Sequence, residues 1–97
     1  MRVTITDAEE IGAVVRAVRK RGGLRQDDAA GLLSVGESFM FKLENGETSL
    51  QWRKLFQVLQ GLGIHVELDV PDLTPAVLEH ERARMHERQF RRGRSPE

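Results

Sequence analysis

Apolar residues recur at helical spacing from Ile11 through Val14, Val15 and Val18, a single stripe on a helix predicted over about residues 7–21. Thr6-Asp7-Ala8-Glu9 reads as its capping box, with the Thr6 hydroxyl accepting from the Glu9 amide while Glu9 reaches back. Gly22-Gly23 ends it, and Arg19, Lys20 and Arg21 suit the negative end of its dipole. A shorter second helix is predicted over about residues 26–33, with Leu24, Ala29, Ala30 and Leu33 facing inward and Asp27 and Asp28 in the first turn. Gly31 inside it costs roughly 1 kcal/mol relative to alanine, so packing must support this helix. Ser34-Val35-Gly36 is a tight connection to a third helix over about residues 37–44, burying Phe39, Met40 and Leu43. Asn45-Gly46 stops it. Thr48 or Ser49 then caps a fourth helix over about residues 50–60, with Trp52, Leu55, Phe56, Val58, Leu59 and Leu62 as its apolar residues and Gly61 and Gly63 at its end.

The period then changes from 3.6 to 2. Ile64, Val66, Leu68 and Val70 alternate with His65, Glu67 and Asp69, the pattern of a half-buried strand. A lone strand leaves its backbone groups unpaired, so it pairs either with the short alternating start at Val3 and Ile5 or with its twin in a dimer. Pro71 stops it, which divides the chain into residues 1–70 and a basic extension, 71–97. Thr74-Pro75 reads as an N-cap followed by a proline at the first helical position, opening a helix over about residues 75–89. Its apolar stripe (Val77, Leu78, Ala83, Met85) is weak, and Arg91 to Glu97 is expected to be disordered.

A chain of 97 residues is about one domain and buries only ~60–65% of its unfolded surface, so added burial from a dimer or ligand is expected. Without cysteine, disulfides and thiolate zinc sites are excluded. His80-Glu81 begins like a zinc-protease HExxH, but Arg84 stands where the second histidine is needed, and no metal site is expected. Neither is a cofactor, because no phosphate loop, nucleotide fingerprint or nucleophile–base motif is present; the chain reads as no enzyme. It has no apolar run of bilayer length and no signal-like amino terminus, so a cytoplasmic, nucleoid-associated protein is expected. Charge balances to zero but is unevenly spread. Arg16, Arg19, Lys20, Arg21 and Arg25 form one basic cluster, and Arg82, Arg84, Arg88, Arg91, Arg92 and Arg94 a second. Each is either a solvated helix face or a set of phosphate contacts.

Two short helices joined by a glycine-containing turn and flanked by other helices match the helix-turn-helix plan. Ala30 supplies the small residue where the two helices meet, Val35 the apolar turn residue, and Phe39 and Leu43 the inner face. The stretch Leu24 to Gly46, with Gln26, Ala30, Val35-Gly36 and Leu43-Glu44-Asn45-Gly46, resembles the phage-repressor-like (Xre/Cro) helix-turn-helix family. Thr48 and the run from Leu55 to Gly63 also fit. Within that family, Val35-Gly36-x-x-Phe39, Leu43-Glu44-x-Gly46 and Leu59-x-x-Leu62-Gly63 leading into an alternating strand are most similar to HipB-like antitoxins. The resemblance covers roughly residues 8 to 70.

It implies a mainly α, phage-repressor-like bundle of four to five helices, with a C-terminal strand forming an intersubunit sheet. It further implies a homodimer that binds a palindromic operator, represses its own operon and neutralises a HipA-like serine/threonine kinase toxin. A stand-alone Xre-type regulator and a pure protein-interaction module are the alternatives. Dimerisation would then use Leu59, Leu62, Ile64, Val66, Leu68 and Val70. Arg25, Gln26, Glu37, Ser38, Phe41, Lys42 and Asn45 become the DNA-binding candidates. Gln26 would grip a phosphate with the free backbone N–H groups, Ser38 a base edge, and Lys42 a phosphate or guanine. Phe41 would meet a thymine methyl or pack against a neighbour. Glu37 would accept from a cytosine amino group or serve the helix dipole. The basic extension lies outside the resemblance and is open to minor-groove or backbone contact, toxin docking or proteolysis.

Overall fold

The first four helices of the computed structural model, which describes residues 1–93, are α1 (Glu10–Arg21), α2 (Gln26–Leu32), α3 (Glu37–Glu44) and α4 (Trp52–Gly61); α5 (Pro75–Gly93) follows. All four end in one motif. The residue after the C-cap donates to a carbonyl three residues back, and the next donates five residues back. The pairs are Gly23 N–H to Lys20 and Leu24 to Arg19 in α1, Gly46 to Leu43 and Glu47 to Lys42 in α3, and Gly63 to Gln60 and Ile64 to Leu59 in α4. In α2 the same bonds run from Ser34 to Gly31 and from Val35 to Ala30. The position needs positive φ. Glycine supplies it three times, while Ser34 adopts φ +57° at α2. The connection therefore turns at Ser34; Gly36 is an extended N-cap with φ −72°.

The core joins all four helices through Val15, Ala29, Ala30, Met40, Leu43, Val58 and Leu59. Leu24, Leu33, Val35, Phe39, Leu55 and Ile64 pack around them. α3 packs against both α1 and α2. A Cβ on Gly12 would strike the Leu43 carbonyl, so this glycine sets how closely α1 and α3 approach.

Several expectations need correction. α1 starts three residues later than its pattern suggested, with Glu9 at the N-cap, and the carboxylate that reaches back is that of Glu10 rather than Glu9. Glu10 Oε2 accepts from the Thr6 N–H (3.2 Å), the Thr6 hydroxyl (2.8 Å) and the Asp7 N–H (2.9 Å). The Thr6 hydroxyl bond, followed by the two backbone donors, holds the Glu10 carboxyl below its ordinary value. α4 begins at Trp52 behind Gln51, with no side-chain cap from Thr48 or Ser49. Trp52 is 77% exposed and Phe56 38%; they stack on each other at 6.3 Å, outside the core.

Residues 64–70 form no strand, and no strand occurs among the described residues. Of the two pairings left open, the one with Val3 and Ile5 is therefore not made. Period-2 alternation sets side-chain facing, but a ladder needs a second backbone alongside, and no other segment of the described residues pairs with this one. The dimerisation set divides accordingly: Leu59 is buried, Leu62 and Ile64 pack on the core, and Val66, Leu68 and Val70 are exposed.

The chain divides into two compact units between Val66 and Glu67, four residues before the boundary expected at Val70. In the second unit α5 runs past the predicted end at Gln89, taking in residues 91–93 that were expected to be disordered. The Thr74 hydroxyl accepts from the Val77 N–H at its start (3.3 Å), as expected of the cap. Residues 94–97, including Arg94 of the second basic cluster, lie outside the described residues.

Two glycine substitutions give opposite results. Gly31→Ala meets nothing within 4 Å inside α2 and raises stability by about 0.5–1 kcal/mol. Gly12→Ala wedges α1 from α3 and costs about 1–3 kcal/mol. Urea midpoints of the two variants measure both, and equal midpoints would reject the packing assigned to Gly12.

Candidate nucleic-acid interface

The exposed surface of α3 is set by what its inner surface buries. Met40 and Leu43 are sealed in the core and Phe39 is half-buried. At 100° per residue this turns Glu37, Ser38, Phe41 and Lys42 outward, and all four are exposed, Phe41 to 59%. Ser38, Phe41 and Lys42 occupy spacings of three and four on one face, with Glu37 in the first turn. The reading surface inferred from the sequence is thus brought together on one helix. Asn45, its exposed C-cap, donates from Nδ2 to the Phe41 carbonyl (2.8 Å) and closes the end of the helix.

α2 presents the other candidates. Arg25 is exposed and pairs with Asp27 at 2.9 Å. Such an exposed pair is worth at most about 1 kcal/mol and yields readily to a stronger anion. Gln26 is half-buried, and its Nε2 donates to Glu44 Oε1 at 3.2 Å. One of its two amide protons is thus committed to the fold. Asp27 Oδ1 also accepts from the Asp28 N–H (2.9 Å) in the same turn.

The side chains that fix this arrangement were not among the candidates. Arg19, counted with the first basic cluster, is buried. Its Nε and Nη2 donate to Glu44 Oε2 and Oε1, both at 2.7 Å, and its Nη1 donates to the Leu24 carbonyl at 2.8 Å. One guanidinium therefore ties the end of α1 to the entry of α2 and the last residue of α3, and Gln26 joins from α2. Burial raises the Glu44 carboxyl, but the Arg19 and Gln26 hydrogen bonds and the charges of Arg19 and Arg16 outweigh it, and the group titrates below its ordinary value. The Glu44 hydrogen bond raises Arg19 in turn.

Gln57 of α4 is the second unforeseen residue. Its Nε2 donates to the carbonyls of Leu33 (2.7 Å) and Ser34 (3.2 Å), pinning the turn between α2 and α3 from the α4 side. Close by, Gly61 lies against the Leu33 side chain, where a Cβ would strike it. The result is two short helices at a fixed angle with one face of the second left open, an arrangement able to present side chains to a groove. Among the described residues no cluster of three or more His, Asp or Glu could hold a metal. No helix there is long and apolar enough to cross a membrane.

Residues 10–69 match the family model described as a helix-turn-helix domain. An uncharacterized HTH-type transcriptional regulator, y4mF, of Sinorhizobium fredii is 44% identical over 71 residues, spanning 73% of this chain and 93% of that protein. Among solved structures, the HipA-HipB-O2-O3 complex superposes with a TM-score of 0.65 at 18% identity, covering 73% of this chain and all of the matched one. The restriction-modification controller protein C.AhdI from Aeromonas hydrophila gives 0.52 at 22% identity over 60% of this chain and 86% of its own. At these identities the structural likenesses speak to the fold, and they match the helical helix-turn-helix bundle that the sequence resemblance implied, without its C-terminal strand.

Removing the Glu44 carboxylate leaves a buried guanidinium without its partner. Glu44→Gln is expected to cost about 3–5 kcal/mol at neutral pH, a large share of a small domain's stability. Because the folded carboxyl titrates below its ordinary value of 4.5, the pair's contribution is complete above that value and lost as pH falls through the folded one. Urea titrations between neutral and acid pH should show a shallower acid loss in Glu44→Gln than in the wild type. Equal acid slopes would remove this pair as a source of the pH dependence.

Proposed function

This chain belongs to the helix-turn-helix domain family, with an HTH-type transcriptional regulator as a close relative in sequence, and we propose that it is a sequence-specific DNA-binding autorepressor and antitoxin. It binds a palindromic operator as a homodimer and holds a HipA-like serine/threonine kinase toxin inactive. The observation that carries the DNA-binding reading is the open face of α3, whose buried side is locked to α1, α2 and α4 while Ser38, Phe41 and Lys42 stand exposed.

On this reading the open face of α3 enters the major groove. The Ser38 hydroxyl bonds a base edge, Phe41 meets a thymine methyl, and Lys42 takes a phosphate or a guanine. Glu37 accepts from a cytosine amino group or only supports the helix dipole. Glu44 holds one Gln26 amide proton, which orients the other toward a phosphate. Arg25 leaves Asp27 for the backbone, and Asn45 lies at the edge of the contact. Residues 64–70 pair with the same segment of a second copy, covering Val66, Leu68 and Val70. Likeness to HipB in a complex named with HipA supports the toxin partner. The sequence relative's description as a regulator favours a second reading, a stand-alone repressor with the same DNA chemistry.

Gel-shift titration against the gene's own upstream region tests the reading, and no complex at low salt would sink it. Lys42→Ala should weaken binding evenly across sequences if the amine meets phosphate. Ser38→Ala should alter preference at one base position by about 1–3 kcal/mol, and an unchanged preference removes its base contact. Leu68→Asp should give monomers by light scattering, and a variant still dimeric would reject pairing through residues 64–70. Co-purification with the product of the adjacent gene separates an antitoxin from a stand-alone repressor.

A further inference from the structure

The second basic cluster takes a definite form on α5. Between residues 82 and 92 the chain carries five arginines and one glutamate, on a molecule whose total charge is zero. Two of the arginines are engaged, Arg82 with Glu79 (2.8 Å) and Arg91 with Glu87 (2.7 Å). Those two contacts also occupy two of the three acids of the helix, leaving Glu81. The remaining arginines, Arg84, Arg88 and Arg92, recur every fourth residue, so they climb one side of the helix in steps of about 6 Å. All three are exposed, and no ion pair engages them among the described residues.

We propose that the Arg84–Arg88–Arg92 ridge of α5 is a second, sequence-independent DNA-contacting surface that grips the phosphate backbone. The inference rests on the DNA-binding reading above and adds to it an element outside the helix-turn-helix. Charge complementarity selects the occupant. Duplex DNA offers one negative charge per roughly 1.7 Å of axis, so a ridge of evenly pitched cations finds a phosphate at every step. The cation type agrees: lysine does not recur after Lys54 and the permanent cations there are all arginine, whose planar fork binds phosphate oxygens in pairs. The helix has its own reason to need a partner. Each residue from Pro75 to Arg92 is exposed, so little burial supports a helix of this length in water. A phosphate contact along one side would order it and add affinity without adding specificity.

The test is the salt dependence of binding by the full chain. The probes are a duplex of the gene's upstream region and a shuffled duplex of equal length. Replacing Arg84, Arg88 and Arg92 together by glutamine, a good helix former, should lower the slope of log affinity against log salt by about 2–3 per bound protomer. Affinity should fall about tenfold or more near physiological salt, by the same factor on both duplexes. The triple arginine-to-lysine variant keeps the charge and should keep the slope. If lysine loses it as glutamine does, the effect lies in the fold and the proposal fails. A glutamine variant with the wild-type slope also overturns it. If that variant in addition no longer co-purifies with the adjacent gene product, the ridge belongs to an acidic protein instead. These results leave the α3 reading standing; a wild-type chain that binds neither duplex at low salt defeats both.

Discussion

The buried pair of Arg19 and Glu44 is the constraint on which the placement of the open α3 face depends. α3 has only eight residues and two fully committed core side chains, Met40 and Leu43, too few to fix its rotation by packing alone. Glu44 closes its C-terminal end against a guanidinium held by α1 and the Leu24 carbonyl, and Gln26 brings in α2 through the same carboxylate. One residue earlier, the Leu43 carbonyl sits against Gly12 where a side chain would not fit. Two adjacent residues therefore fix the distance and rotation of α3 against α1. A buried ion pair of this kind adds little net stability, because desolvation offsets the attraction. What it adds is definition, since any rotation of α3 that moved Glu44 would leave two charges unpaired out of water.

The α2–α3 angle has a separate origin in backbone geometry. Ser34 holds a left-handed conformation that glycine holds at the ends of α1, α3 and α4, and a non-glycine residue there costs on the order of 1–2 kcal/mol. Two things maintain it. Val35 N–H closes on the Ala30 carbonyl while its side chain packs on the core, and Gln57 binds the carbonyls of Leu33 and Ser34. α4 thus acts as a brace on the turn as well as a wall of the core. The α3 face rests on a scaffold whose Arg19–Glu44 joint is buried and whose Gln57 joint lies at the back of the turn, on the α4 side.

The helices were legible in the sequence because their apolar spacing and their terminal glycines are local signals. α2, α3 and the end of α1 fall within a residue of expectation, and the exposed side of α3 follows from its buried one. Most of what failed depended on partners that the local pattern does not name. Arg19 stands among Arg16, Lys20 and Arg21, and nothing in that run marks which one finds a carboxylate twenty-five residues away. Glu9 and Glu10 suit a cap equally by type, and the backbone of Thr6 and Asp7 selects the second. Trp52 and Phe56 carry the apolar spacing of core residues but lie on the outer side of α4, so periodicity identified a face without saying what covers it. Residues 64–70 present the same difficulty, since alternation is local while a strand is a relation between two backbones.

Electrostatics narrows how such a chain can hold a polyanion. The sequence offers fifteen basic residues, yet the fold withdraws Arg19 entirely into a buried pair and engages Arg25, Arg82 and Arg91 with neighbouring carboxylates. Asp27, Asp28 and Glu37 stand in the first turns of α2 and α3, the two helices of the proposed DNA contact. They favour those helix dipoles and at the same time oppose an approaching phosphate. Charges arranged this way give α2 and α3 little long-range attraction for a polyanion. Under the proposed function, discrimination falls to short-range contacts from Ser38, Phe41 and Lys42, and affinity to their repetition in a second copy and to the α5 ridge.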